Sequence, residues 1–205
     1  MVSTISPVVY RHSSWKRNSW LFTATVYTLG SIVGGGLVGL FLGWSGSYLS
    51  TFSGPYRSLF PLFIGSFALA YALHELRLVS LPYPQRQQQV PAHWRYQFHP
   101  YLTAGLFGFF LGTGFVTFIP TATYYILAVA AVFYGSPAVG ALVFMIYGAA
   151  RALPLWLASR QISSPTMIEI LTDYMDVTKP IMSQVNGFAL AMASAYLVNA
   201  YLSLR

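Results

Sequence analysis

GFFLGTGFVTFIPTATYYILAVAAVFYGSP, residues Gly108–Pro137, contains no charged residue, and its reading decides the fold. With the residues ahead of it, the apolar run extends from about Tyr101 to Val132, interrupted at Pro120. A helix needs about 20 mostly apolar residues to cross a hydrocarbon core about 30 Å thick, so this run is long enough to span a bilayer. Pro120 lacks an N–H and breaks the hydrogen-bond ladder at mid-membrane, where the Thr121 hydroxyl can satisfy a carbonyl that the proline leaves open. The uncharged turn Tyr134-Gly135-Ser136-Pro137 is so tight that the next apolar run must return antiparallel.

Working outward, four more runs meet the same length criterion: about Trp20–Trp44, Leu59–Leu78, Pro137–Ser159 and Val185–Leu204. The expected fold is therefore all-α, a single domain of five transmembrane helices over residues 19–205, the third broken at Pro120. Residues 1–18 form a cytoplasmic N-terminal segment. Arg11, Lys16 and Arg17 precede the first run as in a secretory signal, but about 25 apolar residues exceed a cleavable hydrophobic region of roughly 7 to 15. It reads as a permanent helix.

Composition agrees, with 56% hydrophobic residues, 7% charged and a mean hydropathy of +0.57. The net charge of +7 does not point to nucleic acid, because the eleven basic residues form no stripe between the apolar runs. They mark orientation instead. With the N-terminus inside, Arg11, Lys16, Arg17, Arg77, Arg86, Arg95, Arg160 and Lys179 fall on the inner side, against Arg57 and Arg205 outside. The C-terminus is then outside, in a bacterial inner membrane.

Two inner connections have character of their own. Val79–Pro100 carries Pro82, Pro84, Pro91 and Pro100 and reads as an irregular strap. Residues 165–177 start at Ser164-Pro165 and gather Met167, Ile168, Leu171, Tyr174 and Met175 on one face, which predicts a short interfacial helix. Its opposite face carries Glu169, Asp173 and Asp176. A solvated face is the plain reading of these acids; a divalent metal or a basic protein partner is the sharper one.

Gly35, Gly39 and Gly43 recur every four residues in the first run, and Ala104, Gly108 and Gly112 do so in the third. Such seams let helices pack closely within one chain, or against a second subunit, a lipid or a pigment. Arg151, within the fourth run, either snorkels or bonds carbonyls freed by Pro154, or binds an anionic lipid headgroup or ligand. His74, beside Glu75 and Arg77, reads as part of an interfacial polar cluster, with haem or chlorophyll ligation as the alternative. With Glu75 placed there, no carboxylate remains in a spanning segment to couple protons or sodium.

Several stretches resemble the CcdA family, which includes the membrane domain of DsbD. Gly108–Thr121, Ile126–Ala131, Gly135–Leu142 and Tyr147–Pro154 are similar to that family's fourth and fifth helices, and the final run with Asn186-Gly187 to its sixth. The resemblance implies five of six helices from a scaffold that carries reducing equivalents for cytochrome c maturation. Where that family presents Pro-Cys, this chain has Pro120-Thr121, a degenerate site, and none of its 205 residues is cysteine. A hydroxyl cannot form a mixed disulfide, since exchange requires thiolate attack on sulfur.

The expected function is that of a non-catalytic membrane subunit without redox thiols, packed in a respiratory, photosynthetic or cytochrome-assembly complex. It is not an enzyme and has no cofactor of its own, although lipid or pigment can lie against its surface. Its partners are membrane lipid and other integral membrane subunits, not nucleic acid. The alternatives are a small-solute or ion transporter working around Pro120, and a residual part in reductant transfer.

Overall fold

The computed structural model describes residues 17–52, 58–82, 99–114, 122–159 and 165–203. These form six helices and no strand: α1 (Arg17–Phe52), α2 (Phe60–Glu75), α3 (Pro100–Thr113), α4 (Thr123–Tyr134), α5 (Pro137–Ser159) and α6 (Pro165–Ser203). Within them, Leu21–Leu49, Pro137–Trp156 and Pro180–Ser203 are long and apolar enough to cross a membrane. The sequence reading counted five spans. Its second run holds a helix of 16 residues, α2, and its third is divided between the 14 residues of α3 and the 12 of α4. At about 1.5 Å per residue none of these three reaches 30 Å alone.

The third run is divided between α3 and α4. α3 stops at Thr113 because Gly114 adopts a left-handed conformation, φ 71°, which glycine enters without the steric cost of a Cβ. The chain resumes as helix at Thr123; Pro120 and Thr121 lie outside the described residues. Gly135, at φ 66°, ends α4 in the same way, and Pro137 then begins α5 at a position that needs no N–H.

Residues 165–177 are not a separate interfacial helix. They are the first part of α6, which continues for 39 residues to Ser203. Pro180 removes a single backbone hydrogen bond, and no glycine stands between Pro165 and Asn186 to add a second weak point.

The described residues fall into two compact units, one from residues 17–38, 99–114, 142–159 and 165–177, the other from 39–52, 58–82, 122–141 and 178–203. Alanine supplies half of the buried residues in each core. Ala24, Tyr27, Ala104, Leu111, Ala152 and Leu155 pack together in the first, and Ala68, Tyr71, Ala72, Ala122, Ile126 and Leu190 in the second. Many of the largest apolar side chains point outward instead: Phe41 is 60% exposed, Met192 75% and Tyr196 74%. This distribution is compatible with lipid contact, since in a bilayer helices associate through close packing and not through expulsion of water.

Candidate functional site

The second unit buries a carboxylate. Glu75 is the last residue of α2, in a helix otherwise rich in Phe, Ala and Leu, and it is only 4% exposed. Its side chain reaches α4 and α6. Oε1 accepts the backbone N–H of Ala122 at 3.0 Å and the amide Nδ2 of Asn186 at 3.1 Å. Oε2 accepts the Ser183 hydroxyl at 2.6 Å, and the same hydroxyl stands 2.9 Å from the Glu75 main-chain oxygen. Thr123 Oγ1 donates to Asn186 Oδ1, which orients that amide toward the carboxylate.

Local sequence explains the arrangement. Ala122 caps the N-terminus of α4, and its carbonyl accepts Tyr125 N–H and Ile126 N–H, so its own N–H is one of the donors that a helix cannot satisfy internally. A carboxylate at that point also meets the positive end of the helix dipole. Ser183 and Asn186, three residues apart on α6, share a face. The site is thus an acid held by donors from two other helices.

The sequence reading grouped Glu75 with His74 and Arg77 in an interfacial cluster, whereas the structure gives the Glu75 carboxylate partners on α4 and α6. His74 turns to the chain that follows α2, where its Nδ1 lies 2.8 Å from the Leu81 N–H and 3.1 Å from the Val79 carbonyl. Arg77 is exposed and holds the left-handed position that ends the helix, φ 62°. Glu75 is instead the buried carboxylate that the reading found missing. The overlooked signal was the polar spacing Ser183-x-x-Asn186 at the entry to the last apolar run, together with Thr123.

In the first unit, Arg151 donates from Nη1 to the Leu111 carbonyl at 3.0 Å, and its guanidinium lies 5.9 Å from the Tyr147 ring centre. Leu111 belongs to the last turn of α3, whose carbonyls lack helical partners. A cation there complements the negative end of the dipole. Nearby, Trp156 Nε1 donates to Thr28 Oγ1 at 2.9 Å and Ser31 Oγ to the Gly148 carbonyl at 2.9 Å.

The glycines make close contacts. A Cβ on Gly108 would overlap the Tyr27 carbonyl, one on Gly112 the Ser31 carbonyl, and one on Gly35 the Phe144 carbonyl. In the second unit Gly43 faces the Ser136 carbonyl, and the Gly39 carbonyl lies against Gly140. Each of these contacts is within the chain. Glu169, Asp173 and Asp176 lie on α6, with their side chains outside the described residues. Among the described residues no group of three His, Cys, Asp or Glu could hold a metal ion. A sequence without cysteine has no thiol to exchange.

The chain is similar to MauF, a methylamine utilization protein. MauF of Paracoccus denitrificans is 33% identical over 171 residues, covering 76% of this chain and 58% of the relative. That of Paracoccus versutus is 32% identical over 164 residues, with 76% and 60% covered, and that of Methylophilus methylotrophus 28% over 213 residues, with 97% and 71%. The chain thus spans about three fifths of the length of the first two. No family model matches, and no solved structure matches.

These relatives overturn the CcdA and DsbD resemblance, and with it the expectation of a role tied to cytochrome c biogenesis. The features that suggested it were glycine spacing, apolar runs and a proline-broken helix. Closely packed membrane helices share these for reasons of packing alone, while the cysteines specific to that chemistry are missing.

Proposed function

We propose that the chain is an integral membrane accessory protein of methylamine utilization that acts by contact with other membrane proteins, without reaction chemistry or a cofactor of its own. The observation that carries this reading is the similarity to MauF proteins over three quarters of the chain. Five spans with the N-terminus inside remain the finer expectation, from apolar run length and the distribution of Lys and Arg.

The site supports a scaffold over a transporter. Discontinuous membrane helices commonly bind substrate ions at their open ends. Here the last turn of α3 is bonded by Arg151, and the first N–H of α4 by Glu75. The protein's own charged groups occupy positions that a transported ion would use.

The test is deletion of the gene in its host, followed by growth on methylamine and on an unrelated substrate. Loss of growth on methylamine alone, restored by the intact gene, is the expected result; undiminished growth on methylamine would overturn the assignment. Purified chain in proteoliposomes separates the mechanisms. Uptake of labelled methylammonium by the chain alone would replace the contact role with transport.

A further inference from the structure

We propose that α6 pairs in parallel with α6 of a second copy of this chain, and that Asn199 fixes the pairing. This stands apart from the role proposed above. The inner face of α6 is already taken: Ser183 and Asn186 bond Glu75 of α2, Asn186 also bonds Thr123 of α4, and Ser194 donates to the Gly65 carbonyl of α2 at 2.7 Å. The outer face carries Val185, Phe188, Met192, Ala195, Asn199 and Leu202, at alternating spacings of three and four residues, and all six are exposed. That is the 3.5-residue repeat by which two helices wind around each other. From Val185 to Leu202 the seam runs roughly 26 Å at 1.5 Å per residue, most of a hydrocarbon core about 30 Å thick.

Asn199 selects what covers this face. The other five positions are apolar and meet lipid tails as readily as another helix. The amide differs, because it lies within the apolar stretch Pro180–Ser203 and has no hydrogen-bond partner among the described residues, whereas Asn186, earlier in the same helix, is bonded on both sides. Lipid tails offer nothing to its N–H groups or its oxygen. A second amide offers both, since the positive N–H of each meets the negative oxygen of the other. In a parallel pair related by a two-fold axis, Val185, Met192 and Asn199 each face their own copy, and a single polar residue in such a seam sets the register. Ala195, one turn before the amide, lets the backbones approach. Between Leu69 of α2 and the Ala191–Leu202 part of α6 an open groove of about 430 Å³ receives side chains of the second copy.

The chain has no cysteine, so single thiols report the pairing directly. Met192→Cys, Ala193→Cys and Val33→Cys are each made in the full chain, reconstituted in phospholipid vesicles at a low protein-to-lipid ratio and treated with copper phenanthroline as oxidant. Met192→Cys is expected to give a disulfide-linked dimer, and Ala193→Cys, exposed but turned off the seam, to give little. Val33→Cys, on the exposed face of α1, sets the yield of random collision. Yields that do not favour Met192→Cys would overturn the proposal and leave lipid as the cover of this face. Asn199→Leu, combined with Met192→Cys, keeps the face apolar and is expected to weaken association about three- to tenfold, read from the dimer yield as protein is diluted into lipid. Undiminished association would show that the amide does not fix the pair. In host membranes, cross-linking of Met192→Cys to a different polypeptide without any dimer of this chain would assign the seam to another protein and overturn self-pairing.

Discussion

A single hydrogen at Gly108 is what lets α3 lie against α1. Any Cβ there would overlap the Tyr27 carbonyl, which is backbone and cannot rotate away. Gly105, one turn earlier, faces only the Val26 Cγ1 at 3.3 Å, a side-chain atom that can give by a few tenths of an ångström. Gly108→Ala is expected to destabilise the protein by about 1–3 kcal/mol or more, the usual range for overpacking a tight interior. Gly105→Ala should be neutral, or stabilising by up to about 1 kcal/mol through helix propensity. Thermal unfolding of both variants in the same detergent checks the contrast, and equal losses would show that backbone approach is not what distinguishes the two. The four-residue glycine spacing was legible in the sequence, but its partners were not: Tyr27, Ser31 and Phe144 offer carbonyls, and a carbonyl is present at every position. Glu75 was illegible for a related reason. Its meaning depends on Ser183 and Asn186, more than a hundred residues away, and on the N–H of an alanine that carries no side-chain signal.

At the scale of elements, composition was a good guide to where helices exist and a poor one to where they stop. Proline drew the break in the third run toward residue 120, whereas the structure ends α3 at Gly114, a left-handed residue within an otherwise apolar stretch. The apolar-length criterion also drew a boundary before residue 185 that α6 ignores. One missing N–H is tolerated when the neighbouring turns are intact, and a positive φ is not. Helix ends therefore make good targets. Arg77 ends α2 at φ 62°, a conformation that costs a residue with a Cβ about 1–2 kcal/mol. Arg77→Gly is expected to raise stability by up to about 1 kcal/mol, seen as a higher unfolding midpoint; a fall would show that the arginine side chain contributes more than the strain it imposes. At the end of α3, Arg151→Leu removes the donor to the Leu111 carbonyl and should cost about 1–3 kcal/mol. Arg151→Lys keeps the charge without the planar fork and should recover only part of that loss. Full recovery by Lys would reduce the role of Arg151 to charge alone.

Across the whole molecule, lengths and surfaces divide over how many helices cross the bilayer. Three helices qualify by length and composition, while the apolar runs of the sequence suggest five spans, with α2 as the second and α3 with α4 as the interrupted third. The two counts make opposite statements about one exposed residue. With the N-terminus inside, five spans place Ser80, just after α2, on the inner side and Tyr134, at the end of α4, on the outer side. If only α1, α5 and α6 cross, α2 does not return the chain and both residues lie outside. The natural lack of cysteine makes the experiment direct, because Ser80→Cys and Tyr134→Cys each create the only thiol in the protein. Ser80 is exposed and Tyr134 is 61% exposed, so neither thiol is shielded within its own chain. In intact cells an impermeant maleimide is expected to label Tyr134→Cys alone, and Ser80→Cys only after the membrane is opened. Labelling of both variants from outside would establish three spans, and labelling of Ser80→Cys from outside with Tyr134→Cys only from within would reverse the orientation inferred from the basic residues. The positive-inside bias decides for the first outcome, because Arg77, Arg86 and Arg95 surround Ser80 in sequence, while no Lys or Arg lies between Arg95 and Arg151 to hold Tyr134 at the cytoplasmic face.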